Sequence, residues 1–175
     1  MKRSRLRVPL GYAAGVLVVL LARPRPWSIA CGLALALAGE AARIWASGHI
    51  EKTVRLATGG PYAHTRNPLY LGSTLLALGI ATASASLAVL AAVLVYLAIF
   101  YPAVIREESA FLAARFPDLY AAWAREVPAF FPRMRAAGPR ETRFDWARVR
   151  ANREWRTAAA LPLAAALLFA RALAG

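Results

Sequence analysis

Apolar residues in this chain fall into five long runs separated by shorter polar stretches. The runs cover about Val8 to Ala22, Trp27 to Trp45, Leu69 to Ala83, Leu87 to Ile105 and Thr157 to Leu173. The first is short for a bilayer crossing, which takes about 20 residues. The second carries a Trp at each end, as an aromatic belt does. Ala and Leu dominate over β-branched residues, which argues against strands. A segment in lipid must satisfy its own backbone hydrogen bonds, so each run is predicted as a helix. The link Thr82-Ala83-Ser84-Ala85-Ser86 is short and uncharged, which predicts an antiparallel hairpin between the third and fourth runs. The expected fold is all-α: a polytopic membrane helix bundle of about five transmembrane helices.

The stretch Arg106–Val127 has a different pattern. It is charged, yet Phe111, Leu112, Phe116, Leu119, Tyr120 and Trp123 recur at spacings of one, three and four and make an apolar stripe. Pro117 interrupts it, which predicts two short helices forming an amphipathic cap along the membrane interface or over the bundle. Val127-Pro128-Ala129-Phe130-Phe131-Pro132 then ends it as an extended, apolar turn.

Composition sharpens this picture. The 175 residues are 59% hydrophobic but carry a formal net charge of +13. That combination excludes an ordinary soluble domain and a soluble nucleic-acid binder. It fits apolar faces in lipid and basic residues against an anionic leaflet. With the N-terminus in the cytoplasm and five spans, only Arg23, Arg25 and Arg171 of the 22 basic residues fall outside. The loop at 46–68 and the segment after Ile105 then face the cytoplasm together. The basic start Met1–Arg7 resembles a signal peptide, but Ala22-Arg23-Pro24-Arg25-Pro26 is a poor cleavage site, so a retained first helix is expected. The excess of Arg over Lys and the abundance of Ala point to a GC-rich genome, and the expected location is a bacterial inner membrane. The basic series Arg133, Arg135, Arg140, Arg143, Arg148, Arg150, Arg153 and Arg156 lies between two runs, so anionic lipid is its expected partner and nucleic acid is not. Cys31 stands alone in an apolar run and reads as a packing residue. There is no CxxC or HExxH pattern, His49 and His64 are far apart in sequence, and no metal site is expected.

Candidate chemistry concentrates at Gly59-Gly60-Pro61-Tyr62-Ala63-His64-Thr65-Arg66-Asn67-Pro68-Leu69-Tyr70-Leu71-Gly72. Gly59-Gly60-Pro61 turns sharply and exposes backbone N–H groups. Asn67-Pro68 forces an extended residue just before a helix start. That start points partial positive charge at a bound anion such as a carboxylate. Tyr62 and Tyr70 are placed to flank a flat ring or donate hydroxyls. The blander reading is an interfacial loop with its Tyr, His and Arg at headgroup level. A second candidate is Arg106-Glu107-Glu108. There are only nine acidic residues, and two are adjacent at a membrane boundary. Carboxylates there can accept paired ribose hydroxyls or oppose a cation; the alternative is a solvated helix end paired with Arg. The third is Glu40 with Arg43, three residues apart on one helical face, which reads equally as a functional carboxylate and as a structural ion pair.

The order of these motifs resembles the isoprenylcysteine carboxyl methyltransferase and phospholipid methyltransferase group of integral membrane enzymes. A Gly-Pro-Tyr loop with Arg66-Asn67-Pro68-Leu69-Tyr70 and Gly72 is followed by a helical hairpin, the Glu pair, an amphipathic stretch and a Val-Pro…Pro ending. The resemblance covers about Trp45 to Arg133. It implies S-adenosylmethionine as cofactor, bound between membrane helices and a cytoplasmic cap. By position, Tyr62, Pro68, Leu69 and Tyr70 are expected to line the cofactor site. The strip Val54–Ala57, with Val54, Leu56 and Ala57 foremost, is expected to contact it through backbone, and His64 and Arg66 to shape the loop. Glu108 is favoured to hold the cofactor because Phe116 follows at the family's distance; Glu107 is the alternative. Pro117 and Trp123 stand where Gly and Tyr are common, and two further departures bear on the chemistry. Asn67 stands where His is usual, and it can hydrogen-bond but cannot carry a proton near neutral pH. Val104 stands one turn before Glu108, where the prenylcysteine enzymes place an Arg for the substrate carboxylate; Arg106 is close but points elsewhere.

The expected organisation is one membrane domain over 1–175. Helices occupy 1–45, the cofactor-binding core 46–133, and a basic linker with the last span 134–175. The expected activity is methyl transfer from S-adenosylmethionine to a lipid-like or small membrane-soluble acceptor, a carboxylate, thiol or amine, at the cytoplasmic face. No catalytic base is identified, and Asn67, Arg106 and Glu108 are the candidates for positioning. The alternatives are an NADPH-dependent membrane reductase of similar architecture and a non-catalytic lipid-binding protein.

Overall fold

In a computed structural model of the chain, the structure describes residues 18, 20–51, 54–138 and 142–174. Most of the first apolar run, the basic start and Arg140 lie outside these residues. Every regular element among them is helical. Helix α1 spans Pro26–Ser47, α2 Pro68–Ala83, α3 Leu87–Arg115, α4 Pro117–Glu126, α5 Trp146–Ala151 and α6 Trp155–Ala174, with a 3₁₀ turn at Gly60–Ala63 before α2. The protein is a helical membrane bundle in which α1, α3 and α6 are long and apolar enough to cross a bilayer. Helix α2 has 16 residues. At about 1.5 Å per residue it rises roughly 24 Å, less than the ~30 Å hydrocarbon core.

Pattern and structure diverge at α3. The expected break near Ile105 does not occur; one helix of 29 residues runs through Arg106, Glu107 and Glu108 to Arg115. Neither Pro nor Gly lies between Ile105 and Arg115, and Arg, Glu, Ala and Leu are strong helix formers. The expected break at Pro117 does occur. Phe116 leaves the helical region (φ −134°, ψ 63°) because the residue before a proline is sterically barred from it, and Pro117 opens α4.

Packing contacts divide the chain into two compact units. The first comprises Met1–Ala38, Thr74–Val104 and Ala158–Gly175. Its tightest contact joins α1 to α2 at glycine. A Cβ on Gly79 would lie 2.5 Å from the Ala36 nitrogen, and one on Gly32 2.4 Å from the Ala83 nitrogen. Gly32 with Ala36 and Gly79 with Ala83 thus form facing small-residue pairs one turn apart, which let the backbones touch. Ser28, fully buried, donates to the Ala83 carbonyl at 3.1 Å beside this contact. The outward faces stay apolar: Leu94, Val95, Ile99, Leu163, Leu167 and Phe169 are exposed, as lipid-facing positions are.

The second unit comprises Gly39–Ser73 and Ile105–Thr157. Its core is Ala46, Leu56, Tyr62, Tyr120, Trp123 and Val127, with Leu69, Leu112, Phe116 and Leu119 packed against it. Helix α4 supplies Tyr120 and Trp123 from its apolar stripe, with Asp118 in its first turn and Arg125 in its last, complementing the helix dipole.

Candidate functional site

The site is built in the second unit from the loop before α2. Gly60 takes φ +56°, and a Cβ there would meet the His49 ring at 2.3 Å, so only glycine fits. The His49 ring is itself fixed, with Nδ1 donating to the Trp45 carbonyl at 2.9 Å. The 3₁₀ turn buries Pro61, Tyr62 and Ala63. Trp123 Nε1 donates to the Tyr62 carbonyl at 2.9 Å, fastening the turn to α4.

The segment after α4 then pairs with this loop. The Arg66 amide donates to the Pro128 carbonyl at 2.9 Å, the Arg133 amide to the His64 carbonyl at 3.0 Å, and the Ala137 amide to the Ala63 carbonyl at 2.9 Å. Thr65 Oγ1 donates to the Phe130 carbonyl at 2.8 Å, and Asn67 Nδ2 to the Ala129 carbonyl at 2.7 Å. His64 Nδ1 donates to the Arg133 carbonyl at 2.9 Å. The Val-Pro…Pro ending is therefore the hydrogen-bonding partner of the Gly-Pro-Tyr loop.

Between these elements lies a cavity of about 340 Å³, lined by Ile50, Glu51, Arg55, Leu56, Ala57, Tyr62, Arg66, Leu69, Glu108, Phe111, Leu112, Phe116 and Trp123. Six of the residues singled out from sequence meet here: Leu56, Ala57, Tyr62, Arg66, Leu69 and Glu108. The others do not line it. Val54 is 65% exposed. Asn67 and His64 are engaged by the Ala129 and Arg133 carbonyls. Pro68 and Tyr70 start α2 without forming part of the wall, and Arg106 and Glu107 are exposed on α3.

Four charged side chains line the cavity: Glu51, Arg55, Arg66 and Glu108. Arg66 Nη1 donates to Tyr120 Oη at 3.0 Å, its guanidinium lies 5.8 Å from the Tyr120 ring centre, and its buried Nε has no hydrogen-bond partner. Glu51 pairs with Arg55 at 2.8 Å and with Arg148 at 3.4 Å. Tyr62 is almost wholly buried, and burial pushes its phenol well above the ordinary tyrosine value; the carboxylate of Glu108, then that of Glu154, adds to the rise. Aromatic and aliphatic walls from Phe111, Leu112, Phe116 and Trp123 complete it. A volume of this size falls in the ~300–1,000 Å³ range of small-ligand pockets.

Sequence reasoning assigned no role in the site to Glu51 or Ile50, and gave Arg55 only a backbone contact. The four-residue spacing of Glu51 and Arg55 was a readable signal for their pair. The Glu40–Arg43 pairing is realised only as a 3.8 Å approach; Arg43 instead donates to Glu154 Oε1 at 2.7 Å. Glu154 carried no sequence signal, because its partner lies far away in the chain.

Fold and cavity together define a helical membrane protein with a ligand-sized pocket, mostly apolar in its walls and carrying a few charged side chains. Residues 27–118 match the phospholipid methyltransferase family model, and the chain belongs to that family. It is 45% identical over 96 residues to the cobalt-zinc-cadmium resistance protein CzcN of Cupriavidus metallidurans, covering 54% of this chain and 43% of that protein. It is 34% identical over 89 residues to the nickel-cobalt-cadmium resistance protein NccN of Alcaligenes xylosoxydans xylosoxydans, covering 50% of this chain and 40% of that protein. The chain thus spans about two fifths of the length of these relatives. No solved structure matches it.

Proposed function

We propose that the protein is an integral membrane methyltransferase that uses S-adenosylmethionine and acts on a lipid-like or small membrane-soluble acceptor. The observation that carries this reading is that Tyr62 and Glu108, far apart in sequence, line one cavity with Leu56, Ala57, Arg66 and Leu69 in a chain of the phospholipid methyltransferase family. The lining fits the cofactor's chemistry. The Glu108 carboxylate is suited to ribose hydroxyls or an amino group. The unpartnered Arg66 Nε offers a donor to a carboxylate. Phe111, Phe116 and Trp123 offer flat apolar surface for a purine. The cofactor supplies an electrophilic methyl group, so the protein's task is alignment and exclusion of water. Tyr62, held through its carbonyl by Trp123, and Leu69, in the first turn of α2, form the rigid wall against which alignment is set.

A carboxylate or thiolate acceptor needs no general base; an amine does. In this reading Asn67 acts on the loop rather than on the ligand, and the same holds for His64. The chain works as one membrane domain with its core over 46–133 and the final helix beyond it. Its N-terminus is cytoplasmic in a bacterial inner membrane, as the Lys and Arg distribution favours. The basic stretch around 133–156 rests on anionic lipid. The relatives' metal-resistance names raise a metal-linked role, but among the described residues no three His, Cys, Asp or Glu side chains group to hold an ion. Methyl transfer rests instead on the family match and on the Tyr62–Glu108 cavity.

Incubating the full chain with labelled S-adenosylmethionine and total membrane lipid tests the reading. Label is expected in an extractable lipid or small hydrophobic product, and it disappears with Glu108→Ala. Absence of any labelled product with lipid from the native membrane contradicts it.

A further inference from the structure

Arg43 is the hub of a buried polar cluster outside the cavity. Its Nε donates to Glu154 Oε1 at 2.7 Å, and its Nη2 lies 2.5 Å from the same oxygen. Its Nη1 donates to Ser73 Oγ. Glu40 and Glu154 are both nearly fully buried, at 5% exposure each. Two carboxylates therefore compete for one guanidinium. The local one loses: Glu40, three residues away, stays at 3.8 Å and neither of its oxygens has a hydrogen-bond partner. Leaving a near neighbour unsatisfied in order to reach a residue 111 positions away marks the distant link as the one the fold maintains.

That link continues to the cavity. Ser73 Oγ donates to the Leu69 carbonyl at 2.8 Å, and Leu69 is part of the cavity wall. The chain of contacts is Glu154 to Arg43 to Ser73 to Leu69. Neighbouring residues reinforce it. Asn152 Nδ2 donates to the carbonyls of Ser47 at 2.9 Å and Ile50 at 3.2 Å, and Ile50 also lines the cavity. Arg148 reaches Glu51 on the wall, and Thr142 Oγ1 accepts from the Gly59 amide at 2.8 Å. The segment from Thr142 to Thr157 lies wholly beyond the residues matched by the family model, 27–118.

We infer that this segment is a brace of the ligand cavity and that Glu154 is a positioning residue, holding the first turn of α2 through Arg43 and Ser73. The inference rests on the methyltransferase reading for the identity of the ligand but not for the brace itself.

The test uses the full chain in detergent with Glu154→Gln, which keeps size and removes charge. S-adenosylhomocysteine affinity is measured by calorimetry in wild type, Glu154→Gln, Ser73→Ala and the double variant. Glu154→Gln is expected to weaken binding about tenfold, and Ser73→Ala to add little in its presence, as members of one network do. Unchanged affinity, or full additivity of the two variants, overturns the brace while leaving the function standing. If wild type binds no S-adenosylhomocysteine, the function fails, and the brace is then judged by thermal unfolding of the same four proteins. A loss of stability in Glu154→Gln to which Ser73→Ala adds little supports it; no loss, or full additivity, overturns it.

Discussion

Tyr62 is the residue on which most of the site converges. Its carbonyl holds Trp123, its ring lines the cavity, and burial together with Glu108 raises its phenol above the ordinary value. A group whose folded pKa is raised contributes stability that is fully present below the unfolded value, about 10, and lost as pH rises through the folded one. Thermal unfolding in detergent is therefore expected to show falling stability above about pH 10, with a shallower fall in Tyr62→Phe. An identical alkaline slope in the two proteins would contradict the burial. Trp123→Phe keeps most of the packing but removes the donor to the Tyr62 carbonyl. It is expected to destabilise by about 1–3 kcal/mol in denaturant titration, since a buried acceptor loses its partner. Residue types alone pointed to Tyr62 and the Glu107–Glu108 pair; the family resemblance singled out Leu69 and Glu108. They could not tell that the side chains of Asn67 and His64 face the carbonyls of a segment that follows α4. A polar residue in a loop has the same composition whether it holds a ligand or its own chain.

Among the elements, the prolines and glycines were the readable punctuation. Pro68 and Pro117 start α2 and α4 where the steric rule places them. The end of the apolar run at Ile105 was not a helix end. Hydropathy falls there, but helix propensity does not, so α3 carries Glu108, Phe111 and Leu112 on the same rod as its apolar stretch. The α1–α2 contact rests on Gly32 and Gly79. Gly79→Leu would force backbones apart, and a loss of about 2–3 kcal/mol or more is expected from overpacking. Thermal unfolding of the detergent-purified variant checks this; an unaltered midpoint would show that the helices do not touch there. Substitution at exposed Leu94 or Ile99 by another aliphatic residue is expected to change little, because those side chains have lipid rather than protein as neighbour.

At the scale of the whole molecule, the composition separates the classes of protein open to this chain, and the order of motifs narrows them further. A net charge of +13 with 59% hydrophobic residues fits a membrane protein, and the phospholipid methyltransferase family model matches residues 27–118. The contribution of the C-terminal segment was invisible in sequence, since Glu154 and Asn152 act through partners more than a hundred positions away. The central claim is that the Tyr62–Glu108 cavity binds a sulfonium nucleoside. Calorimetric titration of the detergent-purified chain with S-adenosylhomocysteine, and separately with NADPH, tests it most directly. One site for S-adenosylhomocysteine, lost in Glu108→Ala, with no heat from NADPH, is the result the account predicts. Binding of NADPH instead, or S-adenosylhomocysteine binding untouched by Glu108→Ala, would contradict it.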